Sequence, residues 1–155
     1  MLQRIQSIFL FLVFVFTFLF VVLPLANFPL ESPDMPLRIS KFRDFYALLN
    51  VSGAWMGFLL LVLFIVSALL TIYITFLYKK RLLQIQLGRL NMFLHIAMIV
   101  VAFFMIDNVQ KQVNDADFSY GPGIVFPLLS LLFIFLANRA IRKDEELVRS
   151  ADRFR

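Results

Sequence analysis

The chain has 155 residues, 61% of them hydrophobic and twenty of them phenylalanine, with a mean hydropathy of +0.86 and a formal charge of +5. A soluble domain would expose too much of that apolar surface to water, so an ordinary globular protein is excluded. Cysteine is absent, which removes disulfides, iron–sulfur clusters, thiolate zinc sites and dithiol redox chemistry.

The first expected span covers residues 8–26, which contain no Lys, Arg, Asp or Glu. About 20 apolar residues at 1.5 Å each cross the roughly 30 Å of a bilayer's hydrocarbon core. A cleaved signal peptide is the competing reading. Arg4 alone makes a thin charged region, the apolar run exceeds the roughly 7–15 residues of a signal core, and Pro24-Leu25-Ala26-Asn27 lacks a small-x-small cleavage pattern, so a retained anchor is expected. The Leu–Phe alternation between Leu10 and Phe20 resembles a strand. A spanning strand needs a closed barrel with polar lumen positions, which this chain lacks, so a helix is expected.

Residues 27–53 form the longest connection. Pro29, Pro33 and Pro36 keep its start extended, and Ser40 can cap a short interfacial helix over Lys41-Phe42-Arg43-Asp44-Phe45-Tyr46. The second span covers 54–77. Ser67, Thr71 and Thr75 recur every four residues along it, and Gly53 and Gly57 make a small-xxx-small pattern that suits dimerisation or, as the preferred reading, close packing inside the monomer.

A basic elbow follows at Lys79, Lys80 and Arg81, where cations oppose the negative end of the preceding helix dipole. Leu83, Leu87, Leu90 and Leu94 lie at helical spacing, so the third helix should start before its span, 90–106. His95 lies at the depth expected for Thr71 and Thr75 of the antiparallel neighbour. The four residues Ser67, Thr71, Thr75 and His95 are expected to form an inter-helix polar seam, with His95 a neutral packing residue bonded to threonine or Asn91. No second histidine, cysteine or buried carboxylate accompanies it in the sequence, so no metal, haem or other cofactor is expected. Asp107 and Lys111, four residues apart, should pair at the interface. Tyr120-Gly121-Pro122-Gly123 should break the chain before the last helix.

The fourth span is read as 124–140, with Pro127 in its first turn, and its helix should continue into a cytoplasmic amphipathic tail, 141–155. There Arg142–Glu146 and Glu145–Arg149 pairs are expected, with Ala140, Leu147, Ala151 and Phe154 as the apolar stripe. Eleven of the fifteen basic residues precede the first span, occupy the elbow or follow the fourth span; four lie in the other loops. The positive-inside rule then puts both termini and the elbow in the cytoplasm. Such a collar suits anionic lipid headgroups, and nucleic acid is not expected as a partner.

The opening Met1-Leu2-Gln3-Arg4-Ile5-Gln6-Ser7, the central Lys80-Arg81, Leu83-Gln84-Ile85 and Arg89-Leu90-Asn91, and the close Leu136-Ala137-Asn138-Arg139-Ala140-Ile141-Arg142-Lys143-Asp144-Glu145-Glu146-Leu147-Val148-Arg149-Ser150-Ala151-Asp152-Arg153 resemble an uncharacterised family of small four-span bacterial membrane proteins. That family is defined only as a domain of unknown function. The resemblance implies four spans in a bacterial cytoplasmic membrane and carries no activity, ligand or catalytic residue.

The expected architecture is all-α: a single domain, 1–155, forming an integral membrane four-helix transmembrane bundle with N and C termini in the cytoplasm. The expected function is a non-enzymatic membrane subunit or scaffold, docking a membrane or cytoplasmic partner or forming a homo-oligomer. Lys79, Lys80, Arg81, Arg142, Leu147, Arg149 and Phe154 are the candidate partner- or lipid-binding residues. A small oligomeric transporter or channel is the alternative, disfavoured because the sequence shows neither a buried carboxylate nor a broken midplane helix. An enzyme would need a polar catalytic cluster, and Asp144, Glu145 and Glu146 look engaged by neighbouring arginines.

Overall fold

The computed structural model describes residues 2–28, 37–39, 54–78, 80–112 and 119–153. Four helices dominate: α1 (Leu2–Val22), α2 (Ala54–Phe76), α3 (Arg81–Gln112) and α4 (Val125–Arg153). Each packs against its neighbour in the chain, and α1 closes the ring on α4 in the most extensive of these contacts. The result is an up-and-down antiparallel bundle. Three helical stretches, Trp55–Phe76, Arg81–Lys111 and Pro122–Val148, are long and apolar enough to cross a membrane, and Gln6–Val22 is a shorter apolar one. The expected interfacial helix over 41–46 lies outside the described residues.

The buried positions follow one rule. In α1 they include Gln6, Leu10, Val13, Thr17 and Phe20; in α3, Gln84, Gly88, Asn91, His95, Met98, Ala102, Met105 and Val109; in α4, Pro127, Ser130, Ile134, Ala137, Ile141 and Asp144. The spacing alternates between three and four, the seam of a coiled coil, in which helices cross at about 20° with knobs packed into holes. In α2 the same seam holds Gly57, Leu60, Ser67, Thr71 and Ile74. Gly57 is thus buried within the monomer, as the small-residue pattern suggested.

The outward faces are apolar. Phe11, Phe18, Phe58, Leu69, Phe76, Phe93, Phe104 and Phe135 are all exposed. Helix α3 starts before its expected span, as the leucine spacing indicated. Leu83 and Leu90 are exposed too, and the residues one step beyond each, Gln84 and Asn91, face the core. The bundle is polar at parts of its centre and oily at its rim.

One end is closed by a small antiparallel sheet that the sequence does not announce. Strands β1 (Ala26–Phe28), β2 (Leu37–Ile39) and β3 (Ser119–Tyr120) lie in the order β2-β1-β3, with Ala26 opposite Ile39 and Tyr120. The expected first span therefore ends early. Helix α1 stops at Val22, because Pro24 has no N–H to continue the ladder and disfavours helical geometry at Leu23. The carbonyls that follow are taken by the far end of the chain: Gly121 N–H donates to Leu25 O at 2.8 Å and Gly123 N–H to Pro24 O at 2.9 Å. Both glycines are needed for that approach, since a Cβ on Gly121 would overlap the Pro24 carbonyl and one on Gly123 would lie 2.8 Å from Leu23 O. The expected break is confirmed as a 3-10 turn, Pro122–Ile124, leading into α4. Beneath the sheet, Phe20, Leu25, Ala26, Leu60, Met98, Ala102, Met105 and Ile106 form the larger apolar core.

The opposite end carries the elbow. Lys80 N–H donates to Leu77 O at 2.9 Å and α3 begins at Arg81, so α2 and α3 are joined by a very short turn. The Gln84 side chain fastens it by donating Nε2–H to Ile74 O at 3.1 Å, a carbonyl in the last turn of α2 that also accepts from Leu77 N–H.

Candidate functional site

Two polar groups occupy the seam. The first lies midway along the bundle. Asn91 accepts from the Ser67 hydroxyl at Oδ1, 2.9 Å away, and donates Nδ2–H to Thr71 Oγ1 at 2.8 Å. His95 Nδ1 lies 2.9 Å from Asn91 O and 3.3 Å from Ser67 Oγ, and its Nε2 is 3.0 Å from Thr17 Oγ1 on α1. Nδ1–H can donate to Asn91 O, which leaves the Ser67 proton on Asn91 Oδ1. Nε2 then accepts from Thr17 only when that hydroxyl turns away from Val13 O, to which it donates at 2.7 Å. Ser67, Asn91 and His95 are fully buried. The Ser67–His95 pair therefore meets no substrate in this conformation.

The seam differs in detail from the expected one. Ser67 reaches His95 directly. Thr71 does so only through Asn91, and Thr75 donates to Thr71 O of its own helix at 2.9 Å. Helix α3 begins at Arg81, so His95 sits opposite Ser67, one turn from the expected level, and Asn91 takes the place beside Thr71. Thr17 was missed because a single threonine among Phe and Val gives no periodic signal. On α4, Ser130 is also fully buried and its hydroxyl has no hydrogen-bond partner.

The second group ties three segments together at the elbow end. Asp144 is a buried carboxylate: Gln6 Nε2–H of α1 donates to its Oδ2, and Arg81 Nη1–H donates to its main-chain oxygen at 3.0 Å. Asp144 Oδ1 and Gln84 Oε1 are buried without a partner. This corrects two expectations. A buried carboxylate is present, and its side chain is held by a glutamine from the first helix, with no arginine within ion-pair reach among the described residues. Helix α4 turns its 137, 141 and 144 face inward, so the tail's buried stripe runs through Ala137, Ile141 and Asp144; Ala140 is only half-buried and Leu147 is exposed.

Arg142 and Glu146 make no ion pair, and the pair formed among the described residues is Lys111–Asp107 at 2.7 Å, as the spacing indicated. The Glu145–Arg149 pair, like Lys79 and Phe154, involves side chains outside the described residues. Lys80, Arg142, Leu147 and Val148 are exposed around the Asp144 clasp, and Arg81 is half-buried within it. The structure thus brings the elbow and the tail to one place. Among the described residues, no three His, Cys, Asp or Glu side chains gather in a metal-ligating group.

Residues 2–154 match the family described as Domain of unknown function (DUF4293). The chain belongs to that family. No curated protein and no solved structure matches the chain. Family membership extends over the seam, the clasp and the sheet alike, and it brings no activity with it.

Proposed function

We propose that this DUF4293 chain is a non-enzymatic four-span scaffold of a bacterial cytoplasmic membrane, with both termini in the cytoplasm, whose elbow and tail form one platform for a protein partner. The observation that carries this reading is the Asp144 clasp, which fixes the first turn of the tail to α1 through Gln6 and to the elbow through Arg81. A helix growing from a folded span needs no separate nucleus, so the tail is held in one direction. It then displays Leu147 and Val148, half their surface or nearly so exposed, beside Lys80, Arg142 and Lys143. That surface suits a partner with an apolar patch rimmed by carboxylates.

Leu147→Ser combined with Val148→Ser should abolish capture of a stoichiometric partner by mild crosslinking in native membranes, with the chain still inserted. Undiminished capture would refute the platform. Orientation has its own check, aided by the lack of native cysteine. A cysteine at Ser119 should react with an impermeant thiol reagent applied to intact cells, and one at Ser150 only after the membrane is opened; the reverse pattern would invert the topology.

A small oligomeric transporter or channel is the second reading. The polar seam with His95 favours it, because intramembrane ionisable groups tend to mark substrate paths, and Asp144 adds a buried carboxylate at the elbow end. Against it, Asn91 and His95 are fully buried and hydrogen-bonded. Recovery of a lone homo-oligomer, with solute flux lost in Asp144→Asn, would favour transport over the scaffold.

A further inference from the structure

The end of the bundle away from the clasp carries an open groove of about 280 Å³, lined by Phe103, Phe104, Ile106, Asp107, Gln110 and Tyr120. Its chemistry is graded along α3. Phe103 and Phe104 are exposed at the deeper end, with the Phe103 and Tyr120 rings edge-on at 5.9 Å, and Asp107 stands one turn further out with Lys111 a turn beyond it. Between Arg89 and Asp107 the helix carries seventeen residues without a charge, about 26 Å of rise, close to the thickness of bilayer hydrocarbon. With Arg89 at one boundary, Asp107 lies at the other, so the aromatic wall sits at acyl depth and the charged pair at headgroup depth.

We propose that this groove binds a phospholipid whose headgroup bears a primary ammonium, in the leaflet opposite the elbow. The charges fit in kind. Asp107 in the groove lining offers a carboxylate to the ammonium, and Lys111 beside it offers an ammonium to the phosphodiester once their charged atoms, 2.7 Å apart, separate around the headgroup. Their mutual ion pair is exposed, 67% and 55%, and is therefore cheap to rearrange around a ligand. The ring faces of Phe103 and Tyr120 add a surface that attracts a cation and packs against glycerol and acyl carbons. An anionic lipid would meet Asp107 with repulsion. A trimethylated ammonium offers no N–H for the carboxylate.

The inference rests on the membrane-spanning part of the function proposed above and is independent of the tail platform. Retention of the chain in alkali-washed membranes tests the spanning by itself. The site is tested on the purified full chain in detergent by native mass spectrometry, with phosphatidylethanolamine, phosphatidylcholine and phosphatidylglycerol of identical acyl chains added in turn. Phosphatidylethanolamine should bind about tenfold more tightly than the other two, as loss of one charge-assisted hydrogen bond implies. Asp107→Asn should erase that preference, and Arg89→Gln, at the opposite boundary, should leave it intact. Equal binding of the three lipids, or a preference that survives Asp107→Asn, would overturn the proposal. Soluble phosphoethanolamine should bind far more weakly than the lipid; equal affinity would show that the headgroup alone is recognised and that a lipid is not the occupant.

Discussion

Gly121→Ala should destabilise the protein by about 3 kcal/mol, the upper range for forcing atoms into a packed site. The new methyl meets the main-chain carbonyl of Pro24, which cannot swing aside as a side-chain tip would. Relief requires the β1 and β3 segments to part, with loss of the bonds from Gly121 to Leu25 and from Gly123 to Pro24. Unfolding in mixed detergent, followed by helicity, should show a clear drop in midpoint. Exposed Pro122→Ala, one residue along, should change it little. Equal stability of Gly121→Ala and the unaltered chain would show that the sheet contributes nothing to holding α1 against α4.

Asn91→Leu should cost about 2 kcal/mol by the same measurement. Leucine is close in volume, so the loss is chemical: the Ser67 hydroxyl loses its acceptor and the Thr71 oxygen its donor, both in the bundle centre. Inter-helix hydrogen bonds in membranes average about 0.6 kcal/mol and reach about 1.7, and Thr71 still donates to Ser67 O, which limits the damage. His95→Gln should cost less, because an amide retains both donor and acceptor. A His95→Gln chain that folds normally but loses all cellular function would give that histidine a role beyond packing.

The helices were legible because long uncharged runs can be read without knowing what they touch. Which face turns inward was not. Leucines at 83, 87, 90 and 94 have the periodicity of a buried stripe, and in water that reading would hold. Here Gln84, Gly88, Asn91 and His95 occupy the seam and Leu83 and Leu90 face outward, the arrangement expected where the surroundings are as apolar as leucine. His95 was singled out from the sequence as a polar contact, yet its partner Thr17 comes from a helix 78 residues away. Asp144 misled for the opposite reason. Its neighbours in the tail include arginines at convenient helical spacing, and the side chain that holds it is 138 residues distant. The sheet left no trace either, since strands of two and three residues carry no alternation and exist because two glycines let separate segments meet.

The first helix and the last are bound to each other at both ends, through Gln6–Asp144 at one and Gly121–Leu25 at the other. A ribosome delivers them in the least convenient order. Helix α1 emerges before anything it will finally touch on α4 exists, and its Gln6 and Thr17 wait through the synthesis of more than a hundred residues before the ring can close. Contacts this remote in sequence form late and slowly. The half-made chain, with three helices synthesised and one seam face still open, is the species most exposed to mispairing with a second copy or to capture by proteases. Substitutions that weaken the α1–α4 pairing should therefore lower the yield of chain in cells by more than their effect on the finished bundle would suggest.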